Sequence, residues 1–258
     1  MFGPDTQSII EIFKNGYYLV MIYPIILEKT NSHVLAWAFT HKALAINYYI
    51  HFGHIHENRK GILQVLKPFV RFTDTGFILA ILYHMYPTYL FHVTHNVQFS
   101  ITLGYWGSRA MFNMKDADSV IAKNGIHPHS LQINHTFVDL WSHLNHIIPY
   151  YLVITNMVSC EYHDFNNTHL LTTFSVIYTW FILIWIPWFS TTGDLVYSVL
   201  DFRKSLSTPI YTFIFMHFVL YSSNIFGSFI QTNICNHIHN IENIENIENI
   251  ENIQYIME

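Results

Sequence analysis

The stretch Val138 to Ile154 opens an apolar run with Asp139, Ser142, His143, Asn145 and His146, polar groups that a lipid-facing helix has no reason to carry. At the edge of a hydrocarbon layer each must find a partner inside the protein or in a watery cavity, which makes the segment a site hypothesis. A neutral imidazole can take a proton from a hydroxyl and return it to a leaving group. His143 and His146 are three apart and share a helical face, as do His51 with His54 and His92 with His95. Thr40, in Ala38-Phe39-Thr40-His41-Lys42, is the hydroxyl of interest in an earlier apolar segment. Each has a bland alternative: His143 can serve an interhelical hydrogen bond, and Thr40 can bond back to a carbonyl of its own helix.

Eighteen histidines invite a metal reading, with His51, His54, His92 and His95 the first places to look. The clusters of membrane di-iron lipid oxidases include adjacent His-His doublets, and this chain has none. His127, His129, His237 and His239 fit compositional bias. No metal and no cofactor is therefore expected. Cys160 and Cys235 are the only cysteines and have neither CxxC nor zinc spacing, so the sequence indicates no disulfide framework and no structural zinc.

The elements that must position these residues are membrane helices. Hydrophobic residues make up 51% of the chain and charged ones only 11%, against about a quarter charged in ordinary soluble domains. Nothing basic and patterned argues for nucleic acid. About 20 apolar residues cross a bilayer as a helix. The segments that qualify are 8–27, mildly broken at Pro24, then 33–56, 138–158, 170–189 and 208–230. The region 68–112 is ambiguous, because Arg71, Asp74, His95, Asn96 and Gln98 thin it as two independent spans. The expectation is an all-α, polytopic integral membrane helix bundle over 1–235 with six transmembrane helices, or seven. Residues 236–258 hold Ile-Glu-Asn repeated four times, Ile241 through Asn252. A period of three keeps no face apolar, so this tail is expected to be disordered.

Four places resemble the androgen-induced protein family, multi-span membrane hydrolases of fatty acid esters of hydroxy fatty acids. Phe39-Thr40, followed by Leu44, Ile46, Asn47 and Tyr48-Tyr49, is similar to the aromatic-Thr start of that family's second helix. Asp139-Leu140-Trp141-Ser142-His143 is similar to its histidine helix. Thr173-Phe174-Ser175-Val176 with Tyr178, Trp180 and Trp185 is similar to its aromatic-rich fifth helix. Gly193 with Leu195 to Phe202 is similar to the turn before the last helix, where Pro209, His217 and Tyr221 also have counterparts. The likeness covers most of 33–230 as scattered short motifs. Ser198 stands where the family has proline, and Lys42, where it has an aromatic residue, is expected to snorkel to the interface.

The resemblance implies Thr40 as nucleophile and His143 as general base, an acyl-threonine intermediate, a lipid substrate, the bilayer as partner, and residence in the endoplasmic reticulum or another endomembrane. Asp139 could orient the His143 ring from one turn away. Two signals disagree on the number of spans. Basic residues at 59–67, 109–123 and 203–204 share one side only with seven. Hydrogen-bond contact between Thr40 and His143 is expected to require six, since each lies near the start of its helix. The sequons at Asn134 and Asn166 are expected on opposite sides of the membrane. A membrane protein of the same fold without activity, a His-cluster metal oxidase and a transporter are the competing readings.

Overall fold

The computed structural model describes residues 4–52, 62–112, 133–155, 165–197, 200–203 and 205–257. Every regular element among them is helical. In chain order these are α1 (Pro4–Asn15), α2 (Ile22–Thr30), α3 (His33–Phe52), α4 (Ile62–Leu66), α5 (Phe72–Met85), α6 (Pro87–Phe112), α7 (His135–Asn145), α8 (Ile148–Thr155), α9 (Asn167–Trp180), α10 (Ile186–Thr192) and α11 (Ser207–Met257).

Among the described residues, two helices are long and apolar enough to cross a membrane: Asn167–Thr192, of mean hydropathy 1.8, and Ser207–His237, of 1.5. The pair Ser8–Asn15 and Tyr17–Thr30, bent by 52°, adds a third if it is one broken span. Large apolar side chains face outward on these helices, among them Leu171, Leu183, Phe218 and Phe229, each 65% exposed or more. Asp74, Thr94, His95, Asn96 and Thr173 are instead fully buried. Polar groups inside and apolar ones outside is the distribution expected where the outer surface meets lipid.

The breaks in these helices have local causes. The first pair bends at Gly16, whose φ is 71°, and not at Pro24; Pro24 lies in the first turn of α2, where no intrahelical N–H is required. Pro187 lacks the N–H that an α-helix would use at that point, and the preceding turn, Phe181–Trp185, is widened to a π-helix. Gly193, at φ 69°, ends α10 in the left-handed conformation.

The region 68–112 folds as two antiparallel helices, α5 and α6, neither of which is among the candidate spans. Their register is pinned by Gln98, which donates to the Gly76 carbonyl at 2.8 Å. Helix α6 is central: it packs on α5, α8, α9 and α11. The small surface of Gly227 lets α11 come close, because a Cβ there would lie 2.4 Å from Phe165 and 2.9 Å from His95. Helix α11 continues through the Ile-Glu-Asn repeat to Met257, where the sequence analysis expects disorder. A three-residue period winds the isoleucines around a helix without forming a face, yet none of the three residue types breaks one. Cys235 is disulfide-bonded, a pairing that no short-range spacing advertised. Asn166 is exposed and caps α9 in a capping box, whereas the half-buried Asn134 caps α7 and its backbone N–H donates to Asn15 at 2.9 Å.

Candidate hydroxyl–imidazole site

Helices α3 and α7 meet through tryptophans. The rings of Trp37 and Trp141 stack at 4.9 Å, and Trp141 Nε1 donates to His41 Nδ1 at 3.4 Å. Trp141 therefore lies level with the turn from Trp37 to His41, which contains Thr40. His143 is two residues further, roughly 3 Å along the axis. Thr40 is the eighth of the twenty residues of α3, and His143 the ninth of the eleven of α7, in its last turn.

Height does not join them. Two residues are about 200° around a helix, so when Trp141 faces α3, His143 faces away toward α6. There His143 Nδ1 lies 2.8 Å from the Tyr105 hydroxyl, and its ring packs 5.1 Å from Trp106. Thr40 is 1% exposed, and its hydroxyl donates to the Ala36 carbonyl at 2.7 Å, the back-bond that the bland reading anticipates. Asp139 has a buried Oδ1 with no hydrogen-bond partner among the described residues, so it does not orient His143.

Lys42 does not snorkel. Its ammonium bonds the carboxylate of Asp74 and, at 2.7 Å, the Pro68 carbonyl. Arg71 Nε lies 3.2 Å from the other carboxylate oxygen, and His41 Nε2 lies 3.6 Å from the first. A fully buried carboxylate thus gathers two cations and an imidazole, which relieves the lysine of any need to reach water.

A second cluster forms one turn away. His146 Nδ1 bonds the Ser142 carbonyl at 2.6 Å, and its Nε2 lies 3.5 Å from Thr73 Oγ1. The Tyr105 ring stacks on His146 at 3.7 Å and 7°, and Arg109 donates to the Tyr105 hydroxyl at 3.1 Å. Thr73, Tyr105, His143 and His146 are all half-buried. This open edge lies far from a cleft of about 360 Å³ at the other end of α5, lined by Ser32, His33, Tyr83 and His84 among others.

The histidines weighed for metal are separated. His54, His127 and His129 lie outside the described residues. His51 lies in the last turn of α3 and His92 in the second turn of α6, near opposite ends of the bundle. His92 stacks on His169 at 3.8 Å, and His95 bonds the Tyr150 hydroxyl at 3.1 Å. No group of three metal-capable side chains converges among the described residues.

Sequence reasoning named His146 only as a neighbour and missed Thr73 and Tyr105. The charges of Arg71 and Asp74 in an apolar stretch were the available signal for this part of α5; a threonine and a tyrosine in apolar text carry none. No family model matches the chain, and comparison with curated proteins and with solved structures finds no match.

Proposed function

We propose that this chain is a multi-pass membrane hydrolase of the endoplasmic reticulum or another endomembrane, cleaving fatty acid esters of hydroxy fatty acids with a threonine nucleophile and a histidine base. The carrying observation is the half-open cluster on α7, where two imidazoles meet hydroxyl groups of α5 and α6 beneath an apolar exterior. A hydroxyl is a weak nucleophile at neutral pH and needs such a base in reach. The four resembling motifs supply the substrate class, and they point to Thr40 and His143.

A second reading, a lipid-binding protein of the same fold without catalysis, draws on the Thr40 hydroxyl being committed to Ala36. The two are separated by treating the full-length protein in detergent membranes with a fluorophosphonate probe and by assaying hydrolysis of a fatty acyl ester of a hydroxy fatty acid. Labelling and turnover by the wild type support the hydrolase. Neither, from folded protein, supports the binder.

A further inference from the structure

His146 stands where the α7 segment fails as a helix, and the failure determines its chemistry. Pro149 offers no N–H and its ring crowds the carbonyl four residues back, so α7 ends at Asn145. The His146 N–H turns to the His143 carbonyl at 3.1 Å. That leaves the Ser142 carbonyl, which a continuous helix would have given to that N–H, to accept from His146 Nδ1 at 2.6 Å. A carbonyl only accepts, so the ring proton is on Nδ1 and the lone pair is on Nε2. Nε2 is the nitrogen that faces Thr73 Oγ1, at 3.5 Å. Bonds of this kind tighten when substrate is present. His143 differs: its Nδ1 partner is a phenol, which can donate or accept and imposes no tautomer.

Thr73 differs from Thr40 in the same useful way. It is the second residue of α5, where the carbonyl four back belongs to the preceding 3-10 turn Lys67–Phe69. Its hydroxyl faces His146 instead of its own helix, and it is half-buried where Thr40 is closed off.

The third feature is strain. Val196 has φ 58°, a left-handed conformation that a β-branched residue rarely adopts and that tends to mark functional sites. It is held by Asp194, whose Oδ1 accepts the Val196 N–H at 2.9 Å and whose Oδ2 pairs with Lys67 at 2.7 Å. The turn delivers Tyr197, whose phenol oxygen accepts the Phe72 N–H at 2.9 Å, one residue before Thr73 in the chain. Its O–H remains a donor beside the threonine.

From this geometry we infer that Thr73 is the nucleophile, His146 its general base and Tyr197 a hydrogen-bond donor to the oxyanion. The assignment rests on the hydrolase reading above. Thr73 Oγ1 forms a bond to the ester carbonyl carbon while its proton passes to His146 Nε2. The carbonyl oxygen takes the electron pair and receives the Tyr197 hydrogen bond. Collapse breaks the bond to the hydroxy acid, whose alkoxide takes the proton from Nε2 and leaves as the alcohol. Water then attacks acyl-Thr73, giving its proton to Nε2. The second collapse returns that proton to Thr73 and releases the fatty acid.

The test is to label full-length wild type in detergent membranes with a fluorophosphonate and find the modified residue by peptide mass spectrometry, which needs no variant to fold. The expected adduct is on Thr73, absent from Thr73→Val and present on Thr73→Ser. Tyr197→Phe is expected to lower kcat at least tenfold with KM little changed. An adduct on Thr40, or labelling that Thr40→Val abolishes and Thr73→Val keeps, overturns this inference and leaves the hydrolase standing. Folded wild type that neither labels nor turns over ester overturns the hydrolase reading, and this one with it.

Discussion

Helix α6 and the break between α7 and α8 both bring polar groups into an apolar bundle, and they do so to opposite effect. Around Asn96 of α6 the groups are closed off: it donates to Thr173 at 3.2 Å and to Asn224 at 3.0 Å and accepts from Ser223 at 3.1 Å, all from a fully buried position. This network ties α6 to α9 and α11 and leaves nothing for a substrate. At the break, Thr73, Tyr105, His143 and His146 are half-buried, and their bonds fix ring orientation while one hydroxyl stays approachable. Satisfied and closed polar groups hold helices together in lipid; satisfied but open ones can do chemistry.

The sharpest way to break that contrast is Thr73→Val. It removes one hydroxyl from the open cluster and is expected to cut ester turnover by about 10⁴-fold or more, with the detergent melting temperature little changed. Asp74→Ala strikes the ion cluster between the two regions. It leaves Lys42 and Arg71 without their carboxylate and is expected to cost about 3–5 kcal/mol of stability, measured by denaturant unfolding in micelles.

Pro149→Ala tests whether the break itself tunes the base. A repaired helix would return the Ser142 carbonyl to the His146 N–H and release Nδ1, so turnover is expected to fall by about 10²-fold while stability holds or rises. Unchanged turnover would show that the tautomer does not depend on the break. Asn96→Ala should do the reverse, lowering stability by about 1–3 kcal/mol with turnover per folded molecule retained. Thr40→Val is expected to be smallest, within about 1 kcal/mol, because the lost bond is local to one helix turn. A large loss of turnover from Thr40→Val would move the chemistry back to α3.

The two regions were unequally legible in the sequence. The closed network announced itself, since His95, Asn96 and Gln98 are plainly out of place in an apolar stretch, although together with Arg71 and Asp74 they left the number of crossings in 68–112 open. The resemblance drew attention to Thr40 and His143, and the stacking of Trp37 on Trp141 sets them at similar heights. It does not set which way each points. Trp141 and His143 are neighbours in the text, but one faces α3 and the other α6.

The sequence by itself determined that the molecule is helical and carries apolar segments long enough to cross a membrane, because apolar run length and the scarcity of charge are properties of the text. The expected single span 138–158 is instead broken into α7 and α8 near Pro149, a break that the reading of its apolar length passed over. Only the tertiary structure decided which hydroxyl meets which imidazole. Thr73 of α5 and His146 just past α7 lie far apart in the chain, and their meeting depends on the register of α5, α6 and α7, which many weak contacts set together and no single residue encodes.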